Sequence, residues 1–203
     1  MTVAAMRPGP VFSEPVFDAQ AVFRKVMMAM ARPGSIEPLP ALCAPPEPLS
    51  ASAAAVALTL CDHETPIWID HPLTKCSAVA DYLRFYTGAP IVAELARAAF
   101  ALIADPAQMP PLSVFAQGSP EYPDRSATLV LQVGRVSHVA GAVLTGPGIP
   151  DQRPLNFLPM PEAFWHEARL NHMQFPRGVD LVFAAPRAFA ALPRSTRIEM
   201  PEG

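Results

Sequence analysis

The chain has 203 residues, 51% of them hydrophobic and 16% charged, and a formal net charge of −3. Those figures exclude a charge-driven disordered polypeptide, and they exclude a surface basic enough to hold nucleic acid or anionic lipid by charge alone. The 26 prolines are far in excess of ordinary usage, but with only 10 glycines neither a collagen-like repeat nor a flexible Gly-rich linker follows. A length of this order predicts a single domain over 1–203, with residues 1–15 as a flexible N-terminal arm. Three cysteines, Cys43, Cys61 and Cys76, are too few for a disulfide scaffold and fit a reducing compartment. Met1–Pro15 carries no apolar signal core, and the near-apolar run Ala51–Cys61 falls well short of the roughly 20 residues that cross a bilayer. A cytoplasmic protein without membrane contact is expected.

In chain order, the first element is a helix over Asp18–Ala31. Asp18 is its expected N-cap, Ala19, Val22, Phe23, Val26, Met27 and Met30 form its apolar stripe, and Pro33-Gly34 stops it. Pro33–Pro48 holds six prolines and reads as an extended connection anchored by Ile36, Leu39 and Leu42. Ser50 caps an Ala-rich helix through about Cys61. Pro66–Asp70 is a short buried strand, and Ala78–Thr87 is a second amphipathic helix closed by Gly88 and Pro90.

Further along, Ala98–Ala104 is strand-like, Asp105–Gln117 a loop with a helical turn, and Gly118–Arg125 a turn-rich loop. Thr128–Val133 and Val139–Thr145 alternate as two strands, and the short Gly134–His138 connection predicts that they pair antiparallel. A rigid turn over Gly146–Pro150, a helix over Glu162–Met173, and strands over Val179–Ala185 and Thr196–Met200 complete the reading. The expected fold is α/β: a single domain with a mixed β-sheet flanked by helices.

Chemistry is sparse. No phosphate-binding loop of the G-x-x-x-x-G-K-[ST] type and no G-x-S-x-G elbow occurs, and Gly146-Pro147-Gly148 lacks the remainder of a dinucleotide-binding turn. Cys61, His63, His71 and Cys76 lie close in sequence, yet their spacing matches no closed zinc site, so no metal is expected. His166 and His172 flank the last helix as solvated or core-edge side chains. Pyridoxal phosphate would need a Schiff-base lysine, and neither Lys25 nor Lys75 is suitably placed, so no cofactor is expected. No catalytic group is assigned. The ligand-binding candidates are arginines with polar neighbours: Arg84 with Tyr86, Arg177 with Asp180, and Arg194 with Thr196. Guanidinium forks suit phosphate or phosphonate oxygens, and structural ion pairs are the competing use of the same side chains.

Several strings together resemble the H-subunit family of the bacterial carbon–phosphorus lyase core complex, the PhnH family. They are Asp18–Arg24 with Ala29-Met30 and Pro33-Gly34, Asp62–Trp68, Leu83–Thr87 with Ala89-Pro90, Leu144–Ile149, Phe175–Leu181 and Leu192–Thr196, in order along nearly the whole chain. Tyr86, Arg177 and Ser195 depart from the family's usual His, aliphatic residue and Thr.

The resemblance implies a fold similar to pyridoxal-dependent transferases without their cofactor site. It implies a homodimer when isolated and assembly with the G, I and J subunits of the core complex. It also implies a non-catalytic or co-catalytic part in synthesis of ribose 1-phosphonate 5-triphosphate, in which a phosphonate displaces adenine from ATP. The resemblance further implies that carbon–phosphorus cleavage belongs to the iron–sulfur J subunit, and the lack of clustered cysteines in this chain argues against its doing that step itself. The alternative is a freestanding small-molecule transferase that binds phosphate or phosphonate through those arginines.

Overall fold

Alternation along the central strands sorts the apolar residues into two cores, one on each face of a sheet. The computed structural model describes residues 9, 11–40, 42, 44–161 and 163–200. Cys43, most of the 1–15 arm and the Glu162 end of the predicted last helix lie outside the described residues. The main sheet has the order β1 (Glu37–Pro38), β8 (Ala188–Leu192), β7 (Asp180–Ala185), β4 (Thr128–Gln132), β3 (Phe100–Ile103), β2 (Ile67–Ile69). The strands β2, β3, β4 and β7 run parallel, while β8 and β1 join antiparallel at one edge.

Helices α1 (Pro15–Ala31), α2 (Ala51–Leu60) and α4 (Ser77–Thr87) cover one face, where Val22, Val26, Ala53, Val79 and Leu83 meet Ile67, Leu102, Val130 and Val182. On the other face lie α5 (Phe164–Met173) and a second, antiparallel sheet in the order β6 (Arg153–Leu158), β5 (Arg135–Thr145), β9 (Arg197–Glu199). Leu129, Leu131, Leu181 and Phe183 point that way. The Phe157 and Phe183 rings stack there, with centroids 3.7 Å apart, and Phe164 meets both edge-on. Strands buried on both faces need apolar residues throughout, which is why Thr128–Gln132 reads LVL at its centre. The molecule is one α/β domain with a mixed sheet.

Several expectations hold. Ser50 Oγ accepts from Ala53 N–H (3.2 Å) at the start of α2, and α4 ends on Gly88 at φ +73°. Three need correction. Helix α1 starts a turn early, with Pro15 at its first position, and Asp18 works from inside the helix, accepting from Glu14 N–H at 2.9 Å. Its buried stripe is Val22, Val26 and Ala29, so Phe23 and Met27 are exposed. The expectation of a flexible arm over residues 1–15 fails at Val11 and Phe12, which are buried; Val11 N–H donates to the Tyr82 hydroxyl at 3.0 Å.

The third correction concerns the predicted hairpin. β4 and β5 do not pair, because the chain changes sheets between them. Val133 N–H still bonds Ala184 in β7, and the next residue, Gly134, already donates to Leu158 in β6 at 2.7 Å.

Candidate functional site

Of the predicted ligand-binding residues, Arg194 and Asp180 are brought together, but by each other. Asp180 opens β7 and Arg194 follows β8. Arg194 Nη2 reaches Asp180 Oδ2 at 2.8 Å, and Arg194 Nε and its backbone N–H reach Oδ1 at 3.2 and 2.8 Å. Nη1 donates to the carbonyls of Pro123 (2.6 Å) and Gly178 (3.1 Å). The guanidinium is engaged on all sides in tying three loops together.

Thr196 lies next to this cluster in sequence and is buried, with its hydroxyl unpartnered. The nearest turn is Gly146, where an added Cβ would lie 3.8 Å from Thr196 Cα. Arg177 is exposed. Arg84 is also exposed, on α4, with its guanidinium 3.7 Å from Asp81. The Tyr86 ring packs against Tyr82 and Phe85. The six candidates therefore do not converge on one point.

The remaining polar residues singled out in the sequence are similarly dispersed. Lys25 pairs with Glu37 at 3.3 Å, and Lys75 caps the one-turn helix α3 (His71–Thr74). Among the described residues no group of three or more His, Cys, Asp or Glu is arranged to hold a metal ion. Cys61 is buried at the end of α2, and its thiol is pushed up to about 12, by burial first and the neighbouring Asp62 carboxylate second. Such a thiol is inert. His172 Nδ1 sits 3.0 Å from the Arg194 carbonyl.

Ligands of open α/β sheets bind beyond the carboxyl ends of the parallel strands. Here two residues that sequence reasoning passed over tie the loops of that edge together. Asp70, just after β2, accepts from Leu73 N–H on one oxygen (3.3 Å) and from Ala104 and Asp105 N–H on the other (2.7 and 2.9 Å). Burial raises its carboxyl above the ordinary aspartate range despite those three bonds. Gln132, at the end of β4, accepts from Ser50 N–H at 2.6 Å and donates to the Pro48 carbonyl at 3.0 Å. A strand-end Asp or Gln is the only sequence signal either one gives.

An open feature lies elsewhere. Between α5 and the loop over residues 106–115 run two adjoining hollows, of about 180 and 350 Å³. Both are lined by Leu112 and Glu167; Met109, Pro110, Pro111, Pro161 and Phe164 wall the first, and Leu170, Asn171, Met173 and Gln174 the second. Glu167 Oε2 accepts from Leu112 N–H at 3.3 Å. The signal in the sequence is the spacing of Glu167, Leu170, Asn171 and Gln174, which puts them on one helical face.

Fold and site together define an α/β scaffold whose polar side chains mainly secure its own loops and whose accessible hollow is apolar. Residues 10–199 match the family model described as bacterial phosphonate metabolism protein (PhnH). The chain is 41% identical over 199 residues, 98% of its length and 99% of the relative's, to alpha-D-ribose 1-methylphosphonate 5-triphosphate synthase subunit PhnH of Rhizobium meliloti (strain 1021). It is 35% identical over 83 residues, 41% of this chain and 43% of the relative, to a putative C-P lyase subunit protein, HtxG, of Stutzerimonas stutzeri. The chain belongs to the PhnH family.

Proposed function

We propose that this chain is the H-type subunit of a ribose 1-phosphonate 5-triphosphate synthase assembly in phosphonate catabolism, contributing structure or co-catalysis rather than a complete active site. The observation that carries the reading is 41% identity to a subunit of that synthase along 98% of the chain. The side chains support it. The best-held guanidinium, Arg194, is taken up by Asp180 and two carbonyls, which leaves exposed Arg84 and Arg177 as the candidate cations for contact with a phosphonate or with a neighbouring subunit.

On this reading the partners are the G, I and J subunits, the isolated chain is a homodimer, and the assembly works in the cytoplasm. No helix among the described residues is long and apolar enough to cross a membrane. The four parallel strands with helices on one face agree with a scaffold like that of pyridoxal-dependent transferases, with the lysine chemistry lost.

Co-expression with the G, I and J subunits tests the proposal. The chain should co-elute with them on size exclusion, and adenine release from ATP and methylphosphonate should fall when it is omitted. Elution of the chain alone, under conditions where the other three assemble, overturns the reading. Calorimetric titration of the isolated chain with ATP and methylphosphonate separates it from a freestanding transferase, which would bind both.

A further inference from the structure

We propose that the groove between α5 and the 106–115 loop is the docking site for an apolar segment of a companion subunit, carrying one lysine or arginine that pairs with Glu167. The inference rests on the assembly role proposed above and names the surface and the chemistry that serve it.

Three observations carry it. First, the groove continues into exposed apolar surface. Leu170 and Met173, which line it, are 44% and 78% exposed, and Val114 on the facing loop is 42% exposed. Exposed apolar side chains beside an apolar hollow suit contact with another protein. Second, its walls are stiff. Pro110, Pro111 and Pro161 have little backbone freedom left to lose when a partner settles.

Third, charge selects the occupant. Among the described residues lining either hollow, Glu167 is the one titratable side chain, and it lines both. Its Oε2 accepts a backbone N–H from Leu112, and among the described residues no lysine or arginine lines the groove beside it. A phosphonate or a nucleoside triphosphate would meet like charge there with no cation to offset it. An ammonium or guanidinium flanked by apolar side chains finds both a carboxylate and greasy walls.

The test uses the full chain co-expressed with the G, I and J subunits. Leu170→Glu and Met173→Glu, both at exposed positions, should abolish co-purification while leaving the thermal melt of the isolated chain unchanged. Glu167→Gln keeps an acceptor for Leu112 N–H and removes only the charge, so it should weaken association about tenfold or more and flatten its salt dependence. A photo-reactive residue in place of Met173 should cross-link to a companion subunit, in a peptide containing lysine or arginine.

Full assembly by all three variants overturns the groove and leaves the assembly role standing. Cross-linking only to a second copy, or to this chain's own termini, also overturns it. Failure of the unmodified chain to assemble fells the assembly role itself, and the groove with it.

Discussion

Arg194 and Asp180 face each other through two parallel contacts, Nη2 to Oδ2 at 2.8 Å and Nε to Oδ1 at 3.2 Å, with side chains only 16% and 19% exposed. The pair fixes the start of β7 to the segment after β8, and Nη1 extends the clamp to Pro123 and Gly178. Arg194→Ala strips the Asp180 carboxylate of both side-chain donors, leaving it the residue-194 backbone N–H, and removes the guanidinium from the Pro123 and Gly178 carbonyls, so it should destabilise the fold by about 2–4 kcal/mol in urea titration. Arg194→Lys should recover little of that, since an ammonium cannot reproduce the fork. An Arg194→Ala protein of unchanged stability that no longer supports adenine release would return Arg194 to the ligand-binding side.

Gly148 makes a prediction of a different kind. It sits at φ +80°, and a Cβ there would overlap the Ala31 carbonyl oxygen at the end of α1. Backbone is struck rather than a movable side-chain tip, so relief requires separating the turn after β5 from α1. Gly148→Ala should cost about 2–3 kcal/mol, combining left-handed strain with the collision. A thermal melt within a degree of the parent would show that the two segments are not held this closely.

The elements that could be read from sequence are those whose residues report a single environment. Helix α4 has its apolar side on Val79, Tyr82 and Leu83 and a glycine at its end, and Ser50 announces α2. The β4–β5 pairing misled because alternation and a short connection describe each strand, not which sheet it joins; one residue, Gly134, makes the switch. Strand β6 hides behind Pro154, which is allowed there because β6 lies at a sheet edge, and β8 reads Ala-Phe-Ala-Ala-Leu, a composition that favours helix. The site was less legible still. Arginines were the natural suspects for an anion, but whether a guanidinium is free depends on carbonyls such as that of Pro123, 71 residues away. A groove walled by prolines, leucines and methionines around one described glutamate matches no recognised motif beyond the helical spacing of its α5 side.

Cys61 should behave as a small hydrophobe. Its thiol is buried and pushed up to about 12, so almost none is thiolate near neutral pH. Alkylation of the folded chain with iodoacetamide at pH 7.5, followed by peptide mapping, should leave Cys61 unmodified while the half-buried Cys76 reacts. Denaturant should expose Cys61 to full labelling. Because its folded value lies above the ordinary thiol range near 8.5, what it adds to stability is complete below that range and is lost as pH climbs towards 12. Labelling of the two at equal rates in the folded state would contradict the burial.

Asp70 contributes to the pH response of stability on the acid side. Burial raises its carboxyl above the ordinary value of about 3.9, so between that value and its folded one the native state binds the proton more tightly than the unfolded chain does. Stability from this group is therefore greatest below the ordinary value and declines as pH rises through the folded one. At neutral pH the ionised side chain bears its desolvation, offset by N–H donors from Leu73, Ala104 and Asp105. Asp70→Asn removes the titration, but it presents an amide N–H₂ to donors on at least one side, and should cost about 1–2 kcal/mol at pH 7. Urea midpoints of the two proteins from pH 7 down to pH 4 should diverge, the parent gaining on the variant as its carboxyl takes up the proton. Parallel curves, or curves that converge, would mean that the three backbone donors outweigh burial and that Asp70 is held as an ordinary carboxylate.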